Sequence, residues 1–209
     1  MILKDVEQEI CLIIFVFAII QSTRLFIREK SFDYLFEPDF LKGLDGSDGT
    51  LKDVLKEFQE LPESISNSPL IRTLSAAIRR LIITGSVQNA SDATQSAVEA
   101  LAAKNESDLA LIKYLVWAVP SIGFVGTVRG IGLAMSQAES AVAGNIGPMT
   151  ASLGTAFNST FVALFISLAL MAILVTIQKA QDTNVERVHQ YCEQKLIDRI
   201  SHSRSQSEA

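Results

Sequence analysis

Two clusters of small and hydroxyl-bearing side chains stand inside apolar stretches, where a polar group needs a reason to be. The first lies in W-A-V-P-S-I-G-F-V-G-T-V-R-G-I-G-L-A-M, residues 117–135, which carries a proline, four glycines, a threonine and an arginine. Gly123, Thr127, Gly130 and Ala134 recur at i, i+4, i+7 and i+11, so one helix face is nearly all small. Gly126 and Gly130 add the G-x-x-x-G spacing that lets membrane helices bring their backbones together. In the second cluster Ser152, Ala156, Ser159, Thr160, Ala163 and Ser167 share one broad face, flanked by Thr155 and Asn158. Leu153, Phe157, Phe161, Leu164 and Leu168 lie opposite.

Two chemistries suit such faces. Small residues pack helices, and a single Ser or Thr in a membrane helix usually bonds back to its own i−4 carbonyl. Alternatively the face borders a pore, with Thr127 offering its hydroxyl to it. A hydroxyl carries no net charge at neutral pH. It orders water or hydrogen-bonds a carboxylic acid, but it does not itself carry a proton as a titrating site. No Asp or Glu stands within the apolar segments. If protons move here, the titrating group must come from another chain.

The elements that position these faces follow from hydropathy. A mean hydropathy of +0.29 with 48% hydrophobic residues is high for a soluble chain. Three blocks, residues 10–27, 114–135 and 149–177, are long enough to cross hydrocarbon, which takes about 20 residues. The expected fold is therefore an all-α integral membrane protein with three transmembrane helices, N-terminus outside and C-terminus inside. Acids precede the first block and Arg24, Arg28 and Lys30 follow it, which fits an uncleaved anchor rather than a signal peptide. Apart from Lys4 and Arg129, the basic residues gather on the inside. The short connection 136–147 makes the second and third spans an antiparallel hairpin, with Pro148 suited to a helix's first turn.

The chain divides into four parts. Residues 1–27 hold the first span, 28–108 a cytoplasmic helical loop, 109–178 the hairpin and 179–209 a cytoplasmic helix and tail. In the loop, residues 43–49 form a turn cluster. Residues 51–61 and 70–83 show helical apolar periodicity, the second run stopped by Gly85. Residues 91–108 read as a helix running straight into the second span. The stripe Val185, Val188, Cys192, Leu196 and Ile200 extends the third helix into the same bundle, and 201–209 is a frayed end.

Other chemistries lack their residues. Cys11 and Cys192 have no C-x-x-C neighbour and read as inert, and His189 and His202 read as surface residues without ligand spacing. Residues 126–132 follow no strand and are not a phosphate loop. No nucleophile–base pair, metal cluster or cofactor motif is present, so no enzyme, metal or cofactor is expected. The net charge of −5 argues against a nucleic-acid partner.

The hairpin resembles the MotA/TolQ/ExbB proton channel family. The resemblance covers residues 116–178, the order of spans and the layout of the loop. It is carried by P-S-I-G-F-V-G-T-V-x-G at 120–130 and L-G-T-A-F-N-S-T-F-V-A-L at 153–164. It implies a homo-oligomer, a pentamer, in the bacterial inner membrane, whose second and third spans ring a pore. A single-span partner resembling ExbD, TolR or MotB would supply a membrane Asp, and proton flow would do mechanical work on the cell envelope. In this resemblance Thr127 and Thr160 match pore-facing threonines, and Pro120 matches a proline of the MotA branch and is expected to act as a hinge. Gly123, Gly130, Ser152, Ala156, Ser159 and Ala163 complete the expected pore lining.

Two positions depart from the family pattern. Thr155 stands where ExbB-like proteins carry a Glu, and Arg129 stands where many relatives have an aromatic or aliphatic residue. Arg129 is expected at the outer mouth, paired with Glu139 or with an acid of the partner; the bland alternative is snorkelling to headgroups. The functional expectation is a proton-channel (stator) subunit with a TolQ/ExbB-like layout. A non-conducting membrane scaffold with a polar helix hairpin is the alternative.

Overall fold

The computed structural model describes residues 6–36 and 51–197. The turn cluster at 43–49, Ile200, His202 and the tail 201–209 lie outside the described residues. Seven α-helices are described: α1 (Val6–Lys30), α2 (Leu51–Glu60), α3 (Glu63–Ser66), α4 (Pro69–Thr84), α5 (Val87–Ser136), α6 (Ala138–Val142) and α7 (Gly147–Tyr191). A 3-10 turn (Asp33–Phe36) follows α1, and a π-helical turn (Cys192–Ile197) closes α7. No strand occurs among the described residues. Helices α1, α5 and α7 are long and apolar enough to cross a membrane, as hydropathy predicts.

The chain separates into two compact units. The first joins Met1–Phe26 to Asp108–Gln178 and contains the three apolar segments. Its core takes Cys11 and Ala18 from α1, Ile112, Leu115 and Val119 from α5, and Ala163, Leu170 and Ile177 from α7. Pairing of Glu7 with Arg129 and of Cys11 with the Val119 carbonyl runs α1 antiparallel to α5. Outside that core the unit shows water a broad apolar surface that includes Trp117, Phe124, Val128, Phe157, Phe161, Phe165 and Leu168. A soluble monomer rarely exposes such a patch, so lipid or further protein must cover it.

The second unit joins Ile27–Ser107 to Lys179–Ala209. The periodic residues of α2 bury Val54 and Phe58 against Leu70, Leu74 and Ile78 of α4. Helix α4 starts where Ser68 accepts the N–H of Ile71 with Pro69 in the first turn, and stops at Gly85, whose φ of 62° suits a residue without Cβ. Val98 of α5, Val188 of α7 and Cys192 and Leu196 of the π-helical turn complete the core. Hydropathy anticipates neither α3 nor α6; both are single turns of four or five residues, too short to show a period.

Candidate functional site

The small residues of α5 and α7 meet each other. A Cβ built on Gly123 would lie 2.5 Å from the Cβ of Ala163, and one on Gly130 would run into Ala156, 3.0 Å from its Cα. One on Gly126 would strike the hydroxyl of Ser159. The three contacts step along the helices in antiparallel register, one glycine of α5 against one small residue of α7 at each level. The missing side chains therefore bring the two arms of the hairpin together. Ala156, Ala163 and Ser159 are at most 2% exposed as a result. These residues, expected to line a pore, and the glycines facing them pack against one another within the hairpin of the single chain.

Two threonines fasten the same interface from its edge. Thr127 donates to the carbonyl of Ala156 across the gap at 3.3 Å, and Thr160 donates to the carbonyl of Gly123 at 2.9 Å. Each acceptor is the residue four before the opposite threonine, so the arrangement is reciprocal. The two hydroxyl oxygens are also in direct contact, and the Gly123 carbonyl is within 3.3 Å of Thr127 as the usual i−4 acceptor. Each hydroxyl has one proton for more than one acceptor, so the proton on Thr127 can point at either carbonyl or at its neighbour. Both residues are only half-buried. Unlike Ala156 and Ala163, they keep an edge on the surface of the hairpin.

Farther along the hairpin, Pro120 lies inside an unbroken α5. Proline has no N–H, so the carbonyl of Val116 loses its helical donor. Ser167 of α7 supplies one, its hydroxyl donating to that carbonyl at 3.0 Å. Near the connection, Ser152 donates to the side-chain oxygen of Gln137 at 3.1 Å, tying the start of α7 to the residue between α5 and α6.

Arg129 does not turn toward the connection. Its guanidinium donates to the carboxylate of Glu7 on α1 at 2.7 Å, while Glu139 is an exposed residue of α6. The expected pairing with Glu139 is thereby corrected. Arg129 points toward the α1 side of α5, one turn beyond Gly126, where an added Cβ would also lie 3.5 Å from the Cβ of Glu7. Glu7 is 8% exposed, a carboxylate tucked into the first turn of an apolar helix. Sequence reasoning left Glu7 among the flanking acids. The available signal was its place at the N-terminal end of the first apolar segment, which an antiparallel α1 sets level with Arg129. Beside this pair the hydroxyl of Ser159 is buried and has no hydrogen-bond partner.

Comparison with known proteins adds one match. No curated protein and no solved structure matches the chain. The sequence model of the MotA/TolQ/ExbB proton channel family matches residues 65–190. That range contains α4, α5, α6 and nearly all of α7, with both threonines, Pro120, Ser167 and Arg129; α1 and Glu7 fall outside it. With more than half its length inside that match and three helices apolar enough to span a bilayer, the chain belongs to the MotA/TolQ/ExbB proton channel family and is a proton-channel-type, multi-pass membrane subunit.

Proposed function

We propose that this chain is the channel-forming subunit of an inner-membrane stator that couples proton-motive force to mechanical work in the cell envelope. Copies of the hairpin, five by the family's pattern, ring a central space. That space receives the membrane helix of a single-span partner resembling ExbD, TolR or MotB. The N-terminus lies outside and the C-terminus inside. Arg24, Arg28, Lys30, Lys113 and Lys179 support this orientation, because each stands at the end of an apolar segment assigned to the inside.

The observation that carries the reading is the Thr127–Thr160 pair. It holds two hydroxyls at one level of a membrane hairpin, with an edge of each uncovered. The apolar segments of α5 and α7 contain no carboxylate, so the hydroxyls need an acid from elsewhere to handle protons. Their role is to hydrogen-bond the partner's Asp and the water around it as the proton arrives and leaves. Pro120 and the Ser167 bond to Val116 keep α5 and α7 moving as one piece beneath that level. We read no catalysis of a covalent reaction in the site.

The test is proton uptake by vesicles holding the chain and its partner. Thr127→Val and Thr160→Val should each cut uptake by about tenfold or more, equivalent to ~1.4 kcal/mol on the barrier. Assembly with the partner should persist. The burial of Ala156, Ser159 and Ala163 favours a second reading, a non-conducting scaffold, since small faces spent on packing need no pore. Full uptake by both valine variants would end the channel role of these threonines, whereas no uptake by the unmodified chain with its partner would support the scaffold.

A further inference from the structure

The second unit contains a cleft of about 360 Å³, within the range of small-ligand sites. Three helices contribute a cation to its wall: Arg28 from the end of α1, Arg72 from α4 and Lys104 from α5. One carboxylate borders it, Glu29, 5% exposed. That group already accepts from the side-chain amide of Asn184 at 3.0 Å and from Arg28 at 3.4 Å. The 7% exposed amide of Asn105 also lines the wall, while the hydroxyl of Thr73 there is committed to the carbonyl of Pro69 at 2.9 Å.

With Arg28 already paired to Glu29, the wall still carries two more cations than anions, an excess that favours a bound anion. Two of the three cations are guanidinium groups, whose planar forks match phosphate oxygens, while the lysine ammonium acts as a point charge. We propose that this cleft is a binding site for a phosphate-bearing anion. Two sources share that chemistry: a soluble phosphomonoester, and the headgroup of an anionic phospholipid. Along the chain, Arg28 directly follows the apolar run of α1, whereas Lys104 stands ten residues, about 15 Å of helix, before that of α5. The site is separate from the threonine pair, and it does not depend on proton conduction.

The experiment uses the full chain in mild detergent and in bilayer discs. Glycerol 3-phosphate and inorganic phosphate are titrated calorimetrically, and lipid retention is read by native mass spectrometry after discs of phosphatidylcholine with and without phosphatidylglycerol. The double variant R72Q/K104Q changes two exposed head groups, and circular dichroism checks that it is folded. R79Q, which lies outside the cleft, is the control. Saturable binding of one probe class, weakened at least about tenfold in R72Q/K104Q and unchanged in R79Q, supports the site. Binding of the soluble probes assigns the phosphomonoester source, and retained phosphatidylglycerol without soluble binding assigns the lipid. Absence of saturable binding by either class, or equal loss in R79Q, overturns the proposal.

Discussion

Ser167 donates its hydroxyl proton to the carbonyl of Val116, the backbone acceptor that Pro120 leaves without a helical donor. The two residues stand on different helices, and the bond makes good on α7 a defect created in α5. Replacing Ser167 with Ala leaves the carbonyl bare in an apolar setting and should destabilise the folded chain in detergent by about 0.6–1.7 kcal/mol. In a Pro120→Ala background the N–H returns to the helix, so the same replacement should cost close to nothing. A thermal-unfolding double-mutant cycle measures the difference. Equal costs in both backgrounds would show that Ser167 does not serve the proline's orphaned carbonyl.

The glycines of the hairpin divide by what surrounds them. A methyl group at position 130 meets Ala156, including its Cα 3.0 Å away, and backbone has to move to admit it. At position 126 the nearest obstacle is the hydroxyl of Ser159, which can rotate, while the Cβ of Ser159 3.0 Å away is side chain rather than backbone. Around Gly154 and Gly132 a methyl group meets nothing within 4 Å. Gly130→Ala should therefore destabilise by about 1–3 kcal/mol, and more than Gly126→Ala. Gly154→Ala should be neutral or stabilising by up to about 1 kcal/mol through helix propensity. Unfolding midpoints of the three variants give the order. A Gly154→Ala as damaging as Gly130→Ala would mean that Gly154 has a covered face in the assembly.

Which segments become helix, and which residues share a face, was readable from hydropathy and spacing. The three apolar blocks became α1 and parts of α5 and α7, and Gly85 stops α4 as its position suggests. What each face meets was not readable. Gly123, Gly126 and Gly130 form a small stripe whether they press on a pore, a second chain or their own hairpin; composition is the same in all three. The register to Ala163, Ser159 and Ala156 decides it, and register depends on two helices at once. Arg129 failed differently. Nearness along the chain favoured Glu139, but folding brings α1 alongside α5 and sets Glu7, 122 residues away in sequence, against the guanidinium. A proline announces a lost hydrogen bond, yet periodicity alone does not say that Ser167 replaces it.

Glu7 and Arg129 differ sharply in exposure, with side chains 11% and 45% accessible. Removing the arginine leaves a carboxylate buried without its cation, whereas removing the acid leaves a guanidinium that already reaches the surface. Arg129→Gln should thus destabilise more than Glu7→Gln. The double variant should be less destabilised than the sum of the two, by about 1–3 kcal/mol of coupling. Chemical unfolding of the four proteins in one detergent supplies the cycle. Strict additivity would mean that the pair contributes no net interaction to holding α1 against α5.

Cys192 offers a pH-dependent reading of the second unit's core. Its thiol is 0% exposed among Val54, Phe58 and Leu196, and burial, with a smaller push from the Glu193 charge, raises it from 9.0 to about 12. In the unfolded chain the thiol ionises at its ordinary value. Between roughly pH 9 and pH 12 the unfolded state has therefore lost a proton that the folded state keeps. Stability must fall as pH rises through that window, by up to about 1.4 kcal/mol per unit. Below it both states hold the proton, and the thiol adds no pH dependence. Denaturant unfolding from pH 7.5 to 10.5 in a Cys11→Ala background should show this decline, and Cys192→Ala should flatten it. Alkylation provides an independent check: at pH 8 iodoacetamide should modify Cys192 far more slowly in the folded protein than after denaturation. Equal rates in the two states would place the thiol at the surface and remove it from the core.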